Sequence, residues 1–186
     1  MKELSLNILD ITQNSVTAKA DEIEISLAED DKGILTLKII DNGCGMKPET
    51  VKSVRDPFCT SRKTRKVGLG IPFLKLAANQ AGGDIEIIST HIDDDPVNHG
   101  TTVSATFDTH HIDFTPVGDM VETMITLISG NPDIDFRFSD VSPKRQVYLD
   151  TRELKAVLGE DICLGEFEVL EWIKGYLNEQ YSCIEQ

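Results

Sequence analysis

Apolar residues recur at two periods along the first 110 positions. Leu6, Ile8, Leu9, Ile11 and Ala18, with polar residues between them, predict a helix over 6–18 with one buried side. Ile23, Ile25 and Leu27 then alternate with polar partners, and Leu35, Leu37 and Ile39 repeat the alternation after Asp30-Asp31-Lys32-Gly33. That pattern predicts an antiparallel hairpin. Pro48 to Val54 reads as a short helix with proline at its start. Phe73, Leu74, Ala77, Ala78 and Ala81 give a further helix that stops at Gly82-Gly83. Two more strands, 84–90 and 101–107, flank the acidic loop Asp93-Asp94-Asp95-Pro96. This order predicts an α+β fold, a two-layer α/β sandwich with helices on one face of a mixed sheet.

Beyond a crossing at His110 to Pro116, Val117, Val121, Met124, Ile125 and Ile128 recur at helical spacing and stop at Gly130-Asn131-Pro132. Phe136 to Phe138 and Val147 to Leu149 suit a hairpin about Ser142-Pro143. Asp150 with Glu153 has the spacing of a capping box for a helix carrying Leu154, Val157 and Leu158. A last helix presents Phe167, Leu170, Ile173 and Leu177. The expected organisation is therefore a domain over 1–110 and a small α/β extension over 111–186. The extension carries no catalytic constellation, and its apolar stripes read as core or as a docking or regulatory face.

The chain has 186 residues and 40% hydrophobic content, enough for a sizeable core without metals or disulfides. A net charge of −14 argues against nonspecific binding to nucleic acid or an anionic membrane. Residues 111–186, with 6 basic and 15 acidic side chains, carry −9 of it. No run approaches the roughly 20 apolar residues of a membrane span, and the start offers no signal core. The expectation is a cytoplasmic protein. Cys44, Cys59, Cys163 and Cys183 lack metal-knuckle spacing and are expected as free thiols. Cys44 and Cys59 lie inside two of the motifs below, where oxidation would act on the site.

Four stretches carry candidate chemistry. Asp10 and Asn14 are one turn apart on the first helix, so their side chains leave the same face. They could form a solvated face or a ligand set. Asp41-Asn-Gly43-Cys-Gly45-Met46 follows the apolar run Ile34 to Ile40, placing a carboxylate at a strand end where glycines let the backbone turn and a flat ligand approach. Asp56-Pro57-Phe58 leads into a cationic loop with Arg62, Lys63, Arg65 and Lys66, then Gly68-Leu69-Gly70 opening a helix. Free N–H groups at such a helix start favour an anion. Gly100-Thr101-Thr102 opens the last strand of the first domain.

In their order and spacing these stretches resemble the GHKL superfamily of ATP-binding domains, of the sensor-kinase catalytic type. The resemblance covers about the first 110 residues and implies a Bergerat-type sandwich binding ATP with Mg²⁺. It implies that Asn14 ligates the metal, that Asp10 orients or deprotonates an attacking water, and that Asp41 accepts a hydrogen bond from the adenine amine. Gly43, Gly45 and Met46 would line the base, and Thr102 would support Asp41 and a base-bound water. Arg62, Lys63 and Lys66 would close over the phosphates, with Gly68, Leu69 and Gly70 as the second glycine box. Two departures stand out. Many hydrolysing members carry Glu where this chain has Asp10, one methylene shorter, and the glycine box here opens with Lys66 instead of glycine.

Sensor kinases place an acceptor histidine on a dimerisation helix ahead of the ATP domain, whereas this sequence opens at the Asn14 motif. His91, His99, His110 and His111 fall in loops or at strand ends and read as surface residues. The expectation is a stand-alone kinase or ATP-dependent signalling component acting on a separate partner protein, with a homodimer compatible. The alternatives are an ATP-hydrolysing switch using Asp10 and a non-enzymatic nucleotide-loaded interaction module.

Overall fold

The structure is a computed structural model that describes residues 3–55, 70–159 and 162–183. The first helix, α1 (Leu4–Thr17), turns Leu4, Ile8, Ile11 and Ser15 inward, and its neighbour Leu6 is exposed instead. Its first free N–H groups are satisfied by chain distant in sequence, Leu4 N–H by the Pro116 carbonyl at 2.9 Å and Ser5 N–H by the Val117 carbonyl at 2.8 Å.

The predicted hairpin is β1 (Glu22–Glu29) and β2 (Ile34–Asp41), paired so that Ile25 lies opposite Ile39 and Leu27 opposite Leu37. Asp30 fixes the turn by accepting from the Lys32 and Ile34 N–H groups at 2.9 Å each. The next elements are α2 (Pro48–Arg55), α3 (Gly70–Gln80), β3 (Ile85–Thr90) and β4 (Gly100–Asp108). At the end of α3 the Gly83 N–H reaches back to the Ala78 carbonyl at 2.8 Å, the six-to-one bond of a glycine helix stop.

The second half supplies α4 (Met120–Gly130), β5 (Asp135–Ser142), β6 (Arg145–Asp150), α5 (Thr151–Leu158) and α6 (Phe167–Ser182). The helical spacing places Val117 inside α4, but the helix starts three residues later. Asp119 takes the N-cap position and accepts from Glu122 N–H at 2.9 Å, and Val117 stays extended, bonded to Ser5. Asp150 caps α5 through the Arg152 N–H at 2.9 Å.

The six strands form one mixed sheet in the order β3-β4-β2-β1-β5-β6. The hairpin of residues 111–186 extends the first sheet, because β5 lies parallel to β1 with Ile23 opposite Phe136 and Ile25 opposite Phe138. Side chains of one parity, among them Ile23, Ile25, Leu37, Ile39, Val103, Phe107, Phe136, Phe138, Val147 and Leu149, are all buried. They meet the inward faces of α1, α3, α4 and α6 in one core. Residues of the other parity, such as Lys38 and Arg137, face outward. The exposed edge at β6 is blunted by a side chain: the Gln180 amide accepts from Tyr148 N–H at 2.9 Å and donates to the Tyr148 carbonyl at 3.0 Å, imitating a neighbouring strand.

Candidate functional site

Where β2 ends and β4 begins beside α1, a cavity of about 270 Å³ opens. Asp41 is the last residue of β2 and shares the inward parity of Leu35, Leu37 and Ile39, so its carboxylate enters the helix side of the sheet, where it is buried. Its two oxygens are held separately. Oδ2 accepts from the Ser15 hydroxyl at 2.6 Å and Oδ1 from the Gly43 N–H at 3.0 Å. Each carboxylate oxygen keeps a lone pair for a ligand. Ile11, Ala18, Met46, Ile71 and Val103 make the rest of the cavity largely apolar.

The glycine turn is built for close approach. Gly45 has φ +66°, and a Cβ there would stand 1.9 Å from the Thr90 carbonyl oxygen. The turn is tied to its neighbours by Cys44 N–H to the Ala18 carbonyl at 2.9 Å and by Met46 N–H to Ser89 Oγ at 2.8 Å. Ser89 has one proton, and with it given to the Gly100 carbonyl at 3.0 Å, the Thr101 hydroxyl 2.9 Å away is the donor to Ser89. Thr101 then keeps its acceptor pairs free toward the cavity it lines.

Thr102 does not reach this cavity. Thr101 lies opposite Asp41 and shares the parity of Val103, Ala105 and Phe107, while Thr102 pairs with Ile40 and faces the other side of the sheet. A strand alternates its faces at every residue, so a one-residue misreading moves the hydroxyl through the sheet. The hydroxyl beside Asp41 therefore belongs to Thr101. Ser15 and Ser89, which no sequence motif names, bond Asp41 and Thr101; the place of Ser15 beside Asn14 on the inward face of α1 is the signal that points to it.

Asn14, Asp41, Gly45 and Met46 all line the cavity, and Gly43 adjoins it through its bond to Asp41. Asp10 does not line it, and its side chain is exposed one turn before Asn14. The start of α3 closes against α1 at this level: a Cβ on Gly70 would come 2.8 Å from the Asp10 Cβ and 3.4 Å from the Ile11 side chain. Arg62, Lys63, Lys66, Gly68 and Leu69, with Asp56 to Cys59, lie outside the described residues.

Asn14 passes a test of fit for a divalent cation. Its side-chain nitrogen is buried without a hydrogen-bond partner, a cost a native site seldom carries without reason. Exchanging the amide oxygen and nitrogen would put a metal-ligating oxygen there instead. Among the described residues, no group of three or more His, Cys, Asp or Glu side chains is arranged to hold a metal ion. A cation at Asn14 would thus take most of its ligands from phosphate oxygens and water, as Mg²⁺ does beside nucleotides. Cys44, Cys163 and Cys183 are free thiols, and Cys44 lines the cavity. His99 is half-buried, with Nδ1 2.6 Å from the Gly43 carbonyl.

A mixed sheet covered on one face by helices, with a carboxylate-floored cavity at the end of its central strands, defines a Bergerat-type nucleotide-binding fold. The sequence profile described as "Histidine kinase-, DNA gyrase B-, and HSP90-like ATPase" matches residues 1–111, and the chain belongs to that family. The probable C4-dicarboxylate sensor kinase of Bacillus subtilis (strain 168) is 31% identical over 93 residues, covering 50% of this chain and 16% of that protein. The crystal structure of the N terminal domain of a DNA repair protein has a TM-score of 0.56 at 18% identity, over 86% of this chain and 57% of that one. The Aquifex aeolicus MutL ATPase domain complexed with ADP has a TM-score of 0.51 at 15% identity, over 85% and 69%. Both coverages exceed the family match, so the likeness in fold runs on into residues 111–186. No helix among the described residues is long and apolar enough to cross a membrane.

Proposed function

We propose that the chain binds ATP with Mg²⁺ in this cavity and acts as a histidine-kinase-like signalling component on a separate partner protein. The observation that carries the reading is the buried Asp41 carboxylate, fixed by Ser15 and Gly43 in an otherwise apolar cavity. The adenine amine donates to such a carboxylate, whereas guanine would present a carbonyl oxygen to it and be repelled. Met46 and the bare backbone at Gly45 give the base a flat apolar bed. Thr101, held by Ser89, accepts from the base or from a water bound to it. Asn14 would hold the metal, whose charge offsets that of the phosphates. The start of α3 at Gly70 brings the positive end of a helix dipole to the phosphate side. Arg62, Lys63 and Lys66 are proposed to cover the phosphates.

In this reading residues 1–110 are the nucleotide-binding part and 111–186 the partner-docking part, in a cytoplasmic setting. Transfer to a partner is favoured over hydrolysis because Asp10 is short, exposed and off the cavity lining. The test is calorimetric titration of ATP and GTP with Mg²⁺, followed by incubation with γ-labelled ATP and proteins captured by the ATP-loaded chain. Tight ATP binding with label recovered on a captured protein supports the reading. Rapid release of free phosphate that disappears in Asp10→Asn would assign the chain to the hydrolysing switch. Binding without turnover would leave a nucleotide-loaded interaction module.

A further inference from the structure

The outward face of α6 carries a feature that nucleotide binding does not use. Ile173 and Leu177 are fully buried against the core, and roughly 100° round the helix from them Glu168, Trp172, Tyr176 and Glu179 recur at spacings of four, four and three, which puts them on one stripe. Trp172 is 50% exposed and Tyr176 36%, a large apolar area for a helix to leave in water. Their rings stack, with centroids 5.4 Å apart and planes within 6°. Ring faces of this kind attract cations, indole most strongly.

The surroundings decide what would cover them. Glu168, Glu171 and Glu179 flank the rings, and none is in an ion pair among the described residues. Lys174, the one cation on this helix, is held by Glu122 of α4. Of the other cations in residues 111–186, Arg137, Arg145, Arg152 and Lys155 are committed to Glu22, Glu24, Asp135, Asp140 and Asp150. Lys144 sits in the turn between β5 and β6, and Glu171 is within the field of Lys174, so the carboxylate surplus beside the rings rests chiefly on Glu168 and Glu179. Gly175 lies between the two aromatics, and a Cβ there would meet nothing within 4 Å, so the helix surface beside them is bare.

We propose that this stripe is a docking surface for a basic, arginine-bearing segment of a partner protein, with one guanidinium stacked on Trp172 and bonded to Glu168 a turn away, and a further basic side chain of the segment at Glu179, beside Tyr176. A planar guanidinium matches both the ring face and the carboxylates, which an ammonium does less well. The inference stands on α6 alone and does not depend on what the Asp41 cavity binds.

Trp172 is the sole tryptophan of the chain, so its fluorescence reports the site directly. The full chain is titrated with hexa-arginine, hexa-lysine and hexa-glutamate peptides at about 0.1 M salt, where distant charges are screened. Hexa-arginine is expected to change the emission and to bind more tightly than hexa-lysine, and hexa-glutamate to have no effect. By calorimetry, Trp172→Ala is expected to weaken hexa-arginine at least about fivefold and Trp172→Phe to restore most of the loss. Glu168→Gln/Glu171→Gln/Glu179→Gln is expected to cost about tenfold. Removing three loop carboxylates elsewhere (Asp31→Asn/Asp94→Asn/Asp133→Asn) is expected to cost less than about twofold. Circular dichroism of each variant separates misfolding from lost contact. Equal losses in the two triple variants, or unchanged affinity in a folded Trp172→Ala, would reduce the effect to net charge and overturn the proposal. So would sedimentation showing a dimer that Trp172→Ala dissociates, which would give the face to a second copy.

Discussion

At Asp41 the division of labour between the two carboxylate oxygens is what makes a substitution informative. Asp41→Asn keeps the shape but replaces one acceptor by a donor facing the ligand's own donor. Calorimetry is expected to show ATP affinity falling by about 10- to 100-fold, the worth of a charge-assisted hydrogen bond. Ser15→Ala leaves the charge but frees Oδ2, for an expected loss of about fivefold. The two threonines provide a sharper comparison. Thr101→Val is expected to weaken ATP by about fivefold and Thr102→Val to leave it unchanged, since only the first faces the cavity. That difference was legible in principle: counting back by twos from Phe107 through Ala105 and Val103 reaches Thr101. A motif match locates a pair of hydroxyls, and the parity of the strand picks one of them.

Among the elements, Asp150 joins three tasks at the end of β6. It caps α5, receives Arg137 and Arg152, and is nearly buried. Burial by itself would push its carboxyl up, but hydrogen bonds from the Arg152 side chain and backbone, with that residue's charge and Arg137, hold it below its ordinary value. A carboxyl depressed on folding contributes stability above its unfolded pKa, and that contribution is lost as pH falls through the folded value. Asp150→Asn keeps a good N-cap and removes only the charge. Urea unfolding at pH 7 is expected to show a loss of about 1–2 kcal/mol, and the gap between variant and parent is expected to close in acid. The capping position of Asp150 and the glycine stop of α3 were both readable from residue type. The start of α4 is harder to see, because the apolar spacing includes Val117, while the Asp119 cap, accepting from the Glu122 N–H, delays the helix to Met120.

For the whole molecule, the decisive pairing is β1 with β5, which no local pattern announces. Parallel partners more than a hundred residues apart look like two independent hairpins in sequence, and the apparent boundary near residue 110 follows from that. In the fold, β1 is an interior strand and α1 packs against α4, so residues 112–186 cover surface that the first half exposes without them. A chain ending at residue 111 is expected to aggregate or to unfold at a much lower urea midpoint than the full chain, because it would present an unpaired apolar edge. Solubility and the unfolding midpoint check this. The same continuity explains how the solved structures can follow this fold past the end of the family match.

The position of α1 then has a consequence of its own. One helix of 14 residues, about 20 Å long, presents Asn14 and Ser15 to the cavity at one end, and at the other its N–H groups hang from the carbonyls of Pro116 and Val117, just ahead of α4. It works as a rod fixed at both ends. A ligand that seats Asn14 and Asp41 pulls on the same rigid body that anchors the start of the second half. Occupancy of the cavity is thus expected to be felt at Met120–Gly130 without any ligand contact there, as slower amide exchange in that helix when ATP is added.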